Sequence, residues 1–104
     1  MGHTHCGAIK GACDDVRLGH LTDMLAKLRP AVARVRQPSS AAERTSSNAA
    51  FVRAVIRENI RLTVAAIRER SSVLRELEAT GELRIVAALY DVEDGSVTFL
   101  DAES

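Results

Sequence analysis

Apolar and polar positions follow a helical period over most of this chain and lose it near the C-terminal end. From Leu25 the apolar residues Leu25, Leu28, Val32 and Val35 recur at the spacing of one helix face. Thr22 is placed to cap that helix, with Asp23 in the first turn where a carboxylate complements the helix dipole. Leu18-Gly19-His20 just before it reads as a break. Pro30 falls inside the stripe, so the helix either kinks there or restarts with the proline in its first turn. Upstream, AIKGACDDVR has moderate helix propensity, weakened at Gly11. QPSSAAERTSS is small, polar and proline-containing, the composition of a connector.

The longest periodic stretch is NAAFVRAVIRENIRLTVAAIRER. Val52, Val55, Ile56, Asn59, Ile60, Thr63, Ala66 and Ile67 form a broad face for burial. Arg53, Arg57, Arg61 and Arg68 spread around the other side, as a solvated face or as a subunit contact. Ser71 is placed to cap a short helix, VLRELEAT, which Gly81 ends as a left-handed C-cap. LRIVAALYDV is a continuous apolar run rich in β-branched residues, the pattern of a strand buried on both faces. Glu93-Asp94-Gly95 turns the chain and SVTFL returns as a hairpin partner. A two-stranded hairpin is rarely stable alone. No other segment reads as a strand, so the neighbours of LRIVAAL are expected outside these residues and the sheet is expected to be incomplete.

Composition narrows the options. A length of 104 residues suits one domain, and 46% hydrophobic residues suffice for a core. With only 3% aromatics, that core is built from Leu, Val, Ile and Ala. Fourteen basic residues balance fourteen acidic ones, and no basic block exists to hold phosphates, so nucleic acid is not an expected partner. No run approaches the ~18 apolar residues of a membrane span. The basic-then-apolar start of a signal peptide is also missing. The expected location is cytoplasmic, or periplasmic if a leader lies upstream of Met1. Cys6 and Cys13 are seven positions apart, about 10 Å on a helix. A disulfide spans at most ~7 Å, so they are not an intrachain pair.

The chemistry concentrates at the start. His3 and Cys6, spaced H-x-x-C, can reach one Zn2+ from a turn entering a helix, because imidazole nitrogen and thiolate are the commonest zinc ligands. The spacing alone also fits a chance match or a tag remnant. Read further, GHTHCGAIKGA resembles the G-H-x-x-C-G-A segment of the β-class carbonic anhydrases. ENIRLTVAAIRERSSVLRELEATGELRIVAALYDVEDGSVTFL resembles the closing half of the same family, in the right order, with its strand running into Y-D-V-x-x-G.

The resemblance implies an α/β fold in which residues 1–104 form a single partial domain, helices followed by a buried strand and a C-terminal β-hairpin. It implies a zinc lyase (carbonate dehydratase) interconverting CO2 and bicarbonate, working as a homodimer or higher homo-oligomer. His3 and Cys6 take ligand positions, and Gly7 falls on the small residue whose backbone lies beside the metal pocket. The family's first Cys ligand and its Asp-Arg pair come from an upstream C-x-D-x-R segment. The residues from Met1 onward do not contain that segment at the family's position, so no catalytic residue is identifiable among them. Met1 reads either as an internal methionine taken as a start or as the beginning of a truncated gene, and the chain is expected to have reduced or no activity alone. Cys13, Asp15 and Arg17 match C-x-D-x-R by letter. Thiolates on one zinc lie within ~4 Å, however, and Cys13 is two helical turns past Cys6. Cys13 is expected to be a small apolar side chain, His5 to point away from the metal and His20 to sit in a surface loop. Two other functions remain open: a non-catalytic remnant that dimerises or binds a partner, and a zinc hydrolase of sulfur analogues of CO2.

Overall fold

The computed structural model describes residues 1–100. Along the chain run β1 (Gly2–His3), α1 (Gly7–Cys13), α2 (Gly19–Ala26), α3 (Arg29–Arg34), a 3-10 turn at Ala41–Glu43, α4 (Ala49–Arg70), α5 (Ser72–Ala79), β2 (Ala87–Tyr90) and β3 (Val97–Leu100). The architecture is α/β, with helices packed on a small mixed sheet, as expected from the order of periodic segments.

The sheet runs β1-β2-β3. β2 and β3 are antiparallel, with Ala87 opposite Leu100 and Tyr90 opposite Val97. The turn between them closes when Gly95, at φ +77°, donates its N–H to the Asp91 carbonyl at 2.8 Å. β1 lies parallel to β2, Gly2 beside Leu89 and His3 beside Tyr90. The expectation that no segment of this chain would neighbour LRIVAAL is therefore corrected. Two residues are too few to show a period, so the partner strand was invisible in the pattern. Burial on both faces is confined to the middle of the strand. Ala88 and Leu89 are buried, but Val86, Tyr90, Val97 and Phe99 are exposed on the side of the sheet away from α4.

α4 forms the floor of the core. Asn48 caps it, its side-chain oxygen accepting from the Phe51 N–H at 3.2 Å. Its buried residues are Phe51, Val52, Val55, Ile56 and Ile60, joined by Ile9 and Cys13 of α1, Ala31 of α3 and Leu89 of β2. The broad face expected over the whole helix therefore covers only its first half. Asn59 and Ala66 are half-buried, and Thr63 and Ile67 are exposed. Phe51, absent from the expected face, is the largest fully buried side chain.

The solvated arginine face also needs correction. Arg53 is exposed, but Arg57, Arg61 and Arg68 are half-buried. Arg68 forks onto Glu78 with two 2.8 Å bonds, tying the end of α4 to α5 and holding the Glu78 carboxyl below its usual range.

The middle of the chain departs most from expectation. Pro30 does restart a helix, sitting in the first turn of α3. The helix before it starts at Gly19, not after Thr22, and Leu18 is its N-cap residue. Thr22 works backwards from inside the helix, its hydroxyl accepting from the Leu18 N–H at 2.7 Å. His20 consequently lies in the first turn of α2, exposed, instead of in a loop. Arg44 anchors the connector, donating to the carbonyls of Val32, Val35 and Pro38 while its guanidinium lies 4.7 Å from the centre of the Phe51 ring. At the far end, Ser71 caps α5 by accepting from Leu74, and Gly81 follows it at φ +80°.

Candidate metal centre

The site grows out of the end of β1. Gly2 faces α4 so closely that a Cβ there would lie 2.6 Å from Ile60 Cδ1, so a larger residue requires the strand or the Ile60 side chain to shift. Alternation along the strand then turns His3 to the opposite, exposed side. Three contacts stitch the next residues to the β2–β3 hairpin. The Thr4 N–H donates to the Tyr90 carbonyl at 2.9 Å, its hydroxyl accepts from the Val92 N–H at 3.1 Å, and His5 Nε2 meets Glu93 at 2.7 Å. His5 adopts φ +55°, the left-handed conformation that reverses the chain in a tight turn. Cys6 follows as the N-cap residue of α1, half-buried, its thiol free and its carbonyl accepting from Lys10 N–H at 3.0 Å.

His3 Nδ1 lies 2.8 Å from the Thr4 carbonyl. A carbonyl oxygen only accepts, so Nδ1 is the donor in that contact, and in the neutral imidazole Nε2 then carries the lone pair, the arrangement that orients a metal-ligating ring. The two donors thus stand at the ends of one tight strand-to-helix turn, with one imidazole tautomer already selected. Among the described residues, no group of three His, Cys, Asp or Glu side chains is placed to hold an ion. Gly7 is exposed, and a Cβ there would meet nothing within 4 Å.

Cys13 is buried in the core and its thiol is pushed up to about 11, mainly by desolvation and next by the neighbouring Asp14 charge. Asp15, at φ +54°, pairs with Arg17 at 3.0 Å and with Arg29 at 3.4 Å on the surface. The CDDVR string therefore builds a helix end and an ion pair, not a second ligand set. His5 points at Glu93. The stitching by Thr4, Asp91 and Glu93 escaped sequence reading, although Y-D-V-E-D-G carries the acids and the turn that make it.

Fold and site together define an α/β protein with an imidazole–thiol pair at the C-terminal end of a parallel strand. A family model described as "Carbonic anhydrase" matches residues 1–97. The chain belongs to the carbonic anhydrase family. It is similar to a carbonic anhydrase of Pseudomonas aeruginosa, 34% identical over 103 residues. That alignment covers 99% of this chain and 46% of the relative, so the chain spans about half the length of the protein it matches.

Proposed function

We propose that this chain contributes two protein ligands, His3 Nε2 and Cys6 Sγ, to the zinc centre of a lyase interconverting CO2 and bicarbonate. The observation that carries this reading is the His3 ring, fixed by its Nδ1 contact to the Thr4 carbonyl at the end of a parallel strand, one tight turn before Cys6. Family membership supports zinc as the metal. When bound, zinc supplies a Lewis acid that lowers the pKa of its water towards neutrality, a behaviour whose reference case is carbonic anhydrase of the three-histidine type. The chain's own residues orient the imidazole, hold the turn against the hairpin and present the thiol.

Catalytic zinc keeps three protein ligands, and among the described residues no group of three His, Cys, Asp or Glu is placed to hold an ion. Turnover accordingly requires a third ligand, and a polypeptide bearing the family's C-x-D-x-R segment is the natural donor. In stopped-flow CO2 hydration with stoichiometric zinc, the 104-residue chain is expected to stay at background. A carbonic anhydrase N-terminal fragment added in trans is expected to raise the rate. His3→Ala and Cys6→Ser should each weaken zinc about tenfold or more in a chelator competition. Rapid turnover by the chain alone would refute the incomplete sphere. Zinc affinity indifferent to both substitutions would refute the site.

A second reading is an interaction module, non-catalytic in itself. It is favoured by the uncovered sheet face, where Phe99 is 68% exposed and Val86 50%. Sedimentation equilibrium tests it, with a homodimer expected for the intact chain and a monomer for Phe99→Lys.

A further inference from the structure

The peptide that joins Thr4 to His5 carries the carbonyl that meets His3 Nδ1 at 2.8 Å. His3 is exposed, so packing restrains its ring little. A neutral imidazole in such a place exchanges between two tautomers unless a hydrogen bond selects one. Whatever fixes that carbonyl therefore decides which nitrogen the ring presents.

The peptide is pinned on both flanks by the β2–β3 hairpin. On the Thr4 side, the N–H donates to the Tyr90 carbonyl at 2.9 Å and the hydroxyl accepts from the Val92 N–H at 3.1 Å. A hydroxyl that accepts still has its own proton to give, and Asp91 Oδ1 lies 3.5 Å away to take it. The Val92 bond is the shorter of the two and sets the geometry. Asp91 is a firm anchor, since its N–H donates to the Ser96 carbonyl at 2.8 Å and its carboxylate accepts from the Glu93 N–H at 2.9 Å. On the other flank, His5 Nε2 meets Glu93 at 2.7 Å. Threonine is β-branched and stiff at its first side-chain bond. Holding its hydroxyl and its N–H together thus fixes the residue from which the carbonyl projects.

We propose that Thr4 is a positioning residue of the metal centre. Its hydroxyl, clamped between the Val92 N–H and the Asp91 carboxylate, aims the carbonyl that holds the His3 Nδ1 proton and so turns Nε2 outward as the ligand. This rests on the reading of His3 and Cys6 as zinc ligands and adds the group that orients the first of them. The role is separable from stability. Valine has the shape of threonine, and Val92 is 46% exposed, so water replaces the lost acceptor and the fold survives.

Thr4→Val and Thr4→Ser in the intact chain test this, with thermal melts to verify folding. The His3 tautomer is read without metal by proton–nitrogen NMR of the ring at about pH 8, where an ordinary imidazole is neutral. Wild type should show the proton on Nδ1, Thr4→Val a mixture, and Thr4→Ser a return to Nδ1. In chelator competition, Thr4→Val should bind zinc about tenfold more weakly and Thr4→Ser close to wild type. In a His3→Ala background, Thr4→Val should weaken zinc no further, because the hydroxyl acts through that ring. A tautomer unaltered in Thr4→Val overturns the proposal, as does an undiminished tenfold loss in the His3→Ala background. Zinc affinity that falls in His3→Ala but not in Thr4→Val overturns it alone, whereas affinity indifferent to His3→Ala overturns the ligand reading beneath it.

Discussion

Gly2→Ala tests whether the close approach of β1 to α4 positions the metal turn. The new methyl would sit 2.6 Å from Ile60 Cδ1 and 2.7 Å from Ile60 Cγ1. Carbon atoms pack comfortably at about 3.5–4.0 Å, so strand and helix must part by roughly 1 Å or Ile60 must leave its rotamer. Ile60 is only 4% exposed and packed in the core, which gives it little room to move. Overpacking of this kind costs about 1–3 kcal/mol. Loss of glycine's freedom in the unfolded chain returns about 0.4–1 kcal/mol, leaving a net destabilisation of about 1–2 kcal/mol. That corresponds to a fall in Tm of roughly 5–15 °C for a domain this size. The decisive experiment is a double-mutant cycle with Ile60→Val, which removes the offending Cδ1. Ile60→Val alone costs about 0.5–1.5 kcal/mol. In the Gly2→Ala background it should cost less than that, or stabilise, with a coupling of about 1 kcal/mol in urea unfolding. The Nδ1 proton of His3, read by NMR, should lose its fixed environment in Gly2→Ala and regain it in the double variant. Strict additivity, within about 0.5 kcal/mol, would refute the contact as the constraint on β1.

Other outcomes follow from single contacts. Arg44→Met keeps the side-chain volume but removes three bonds to carbonyls and the stacking on Phe51, and should cost about 2–3 kcal/mol in urea unfolding, with Arg44→Lys recovering part of it. The Asp14 carboxyl is held below its usual range by the hydroxyl and N–H of Ser46. Its stabilisation is complete above the unfolded value near ~3.9 and disappears as pH falls through the lower folded value, so the stability gap between wild type and Ser46→Ala should narrow below about pH 4. Cys13, raised from 9.0 to about 11, favours the fold as the neutral thiol. Its contribution is intact below about pH 9 and fades as pH climbs towards 11, a loss that Cys13→Ala should lack. At pH 8 a thiol reagent should label one cysteine of the native chain, Cys6, and both only after unfolding.

Caps and periods were legible in the sequence where the information is local. The Ser71 cap and the Glu93-Asp94-Gly95 reversal depend on a few neighbouring residues and form as their patterns predict, and of the two outcomes open at Pro30 the structure takes the restart. The start of α2 was misread because Thr22 offers the same hydroxyl from inside the helix as it would from the cap position. The arginines of α4 looked alike by spacing, yet Arg68 finds Glu78 ten residues on, while Arg53 and Arg57 face a hollow.

For the site, the sequence by itself named the candidate donors. Imidazole and thiol at H-x-x-C are residue types that ligate zinc, and the resemblance to a family, not the spacing, singled them out. The tertiary structure alone decided their setting. Gly2 and His3 become a strand only because Leu89 and Tyr90, more than eighty residues later, lend them hydrogen-bonding partners, and the turn is held by Thr4 and His5 reaching Tyr90, Val92 and Glu93. Likewise the packing of α4 beside the hairpin, not any local motif, brings Arg53 and Arg57 into one hollow with Asp91 and Glu93. Backbone conformation follows from near neighbours along the chain. Which side chain meets which partner is set by packing between distant segments, where burial and hydrogen bonding outweigh local preference.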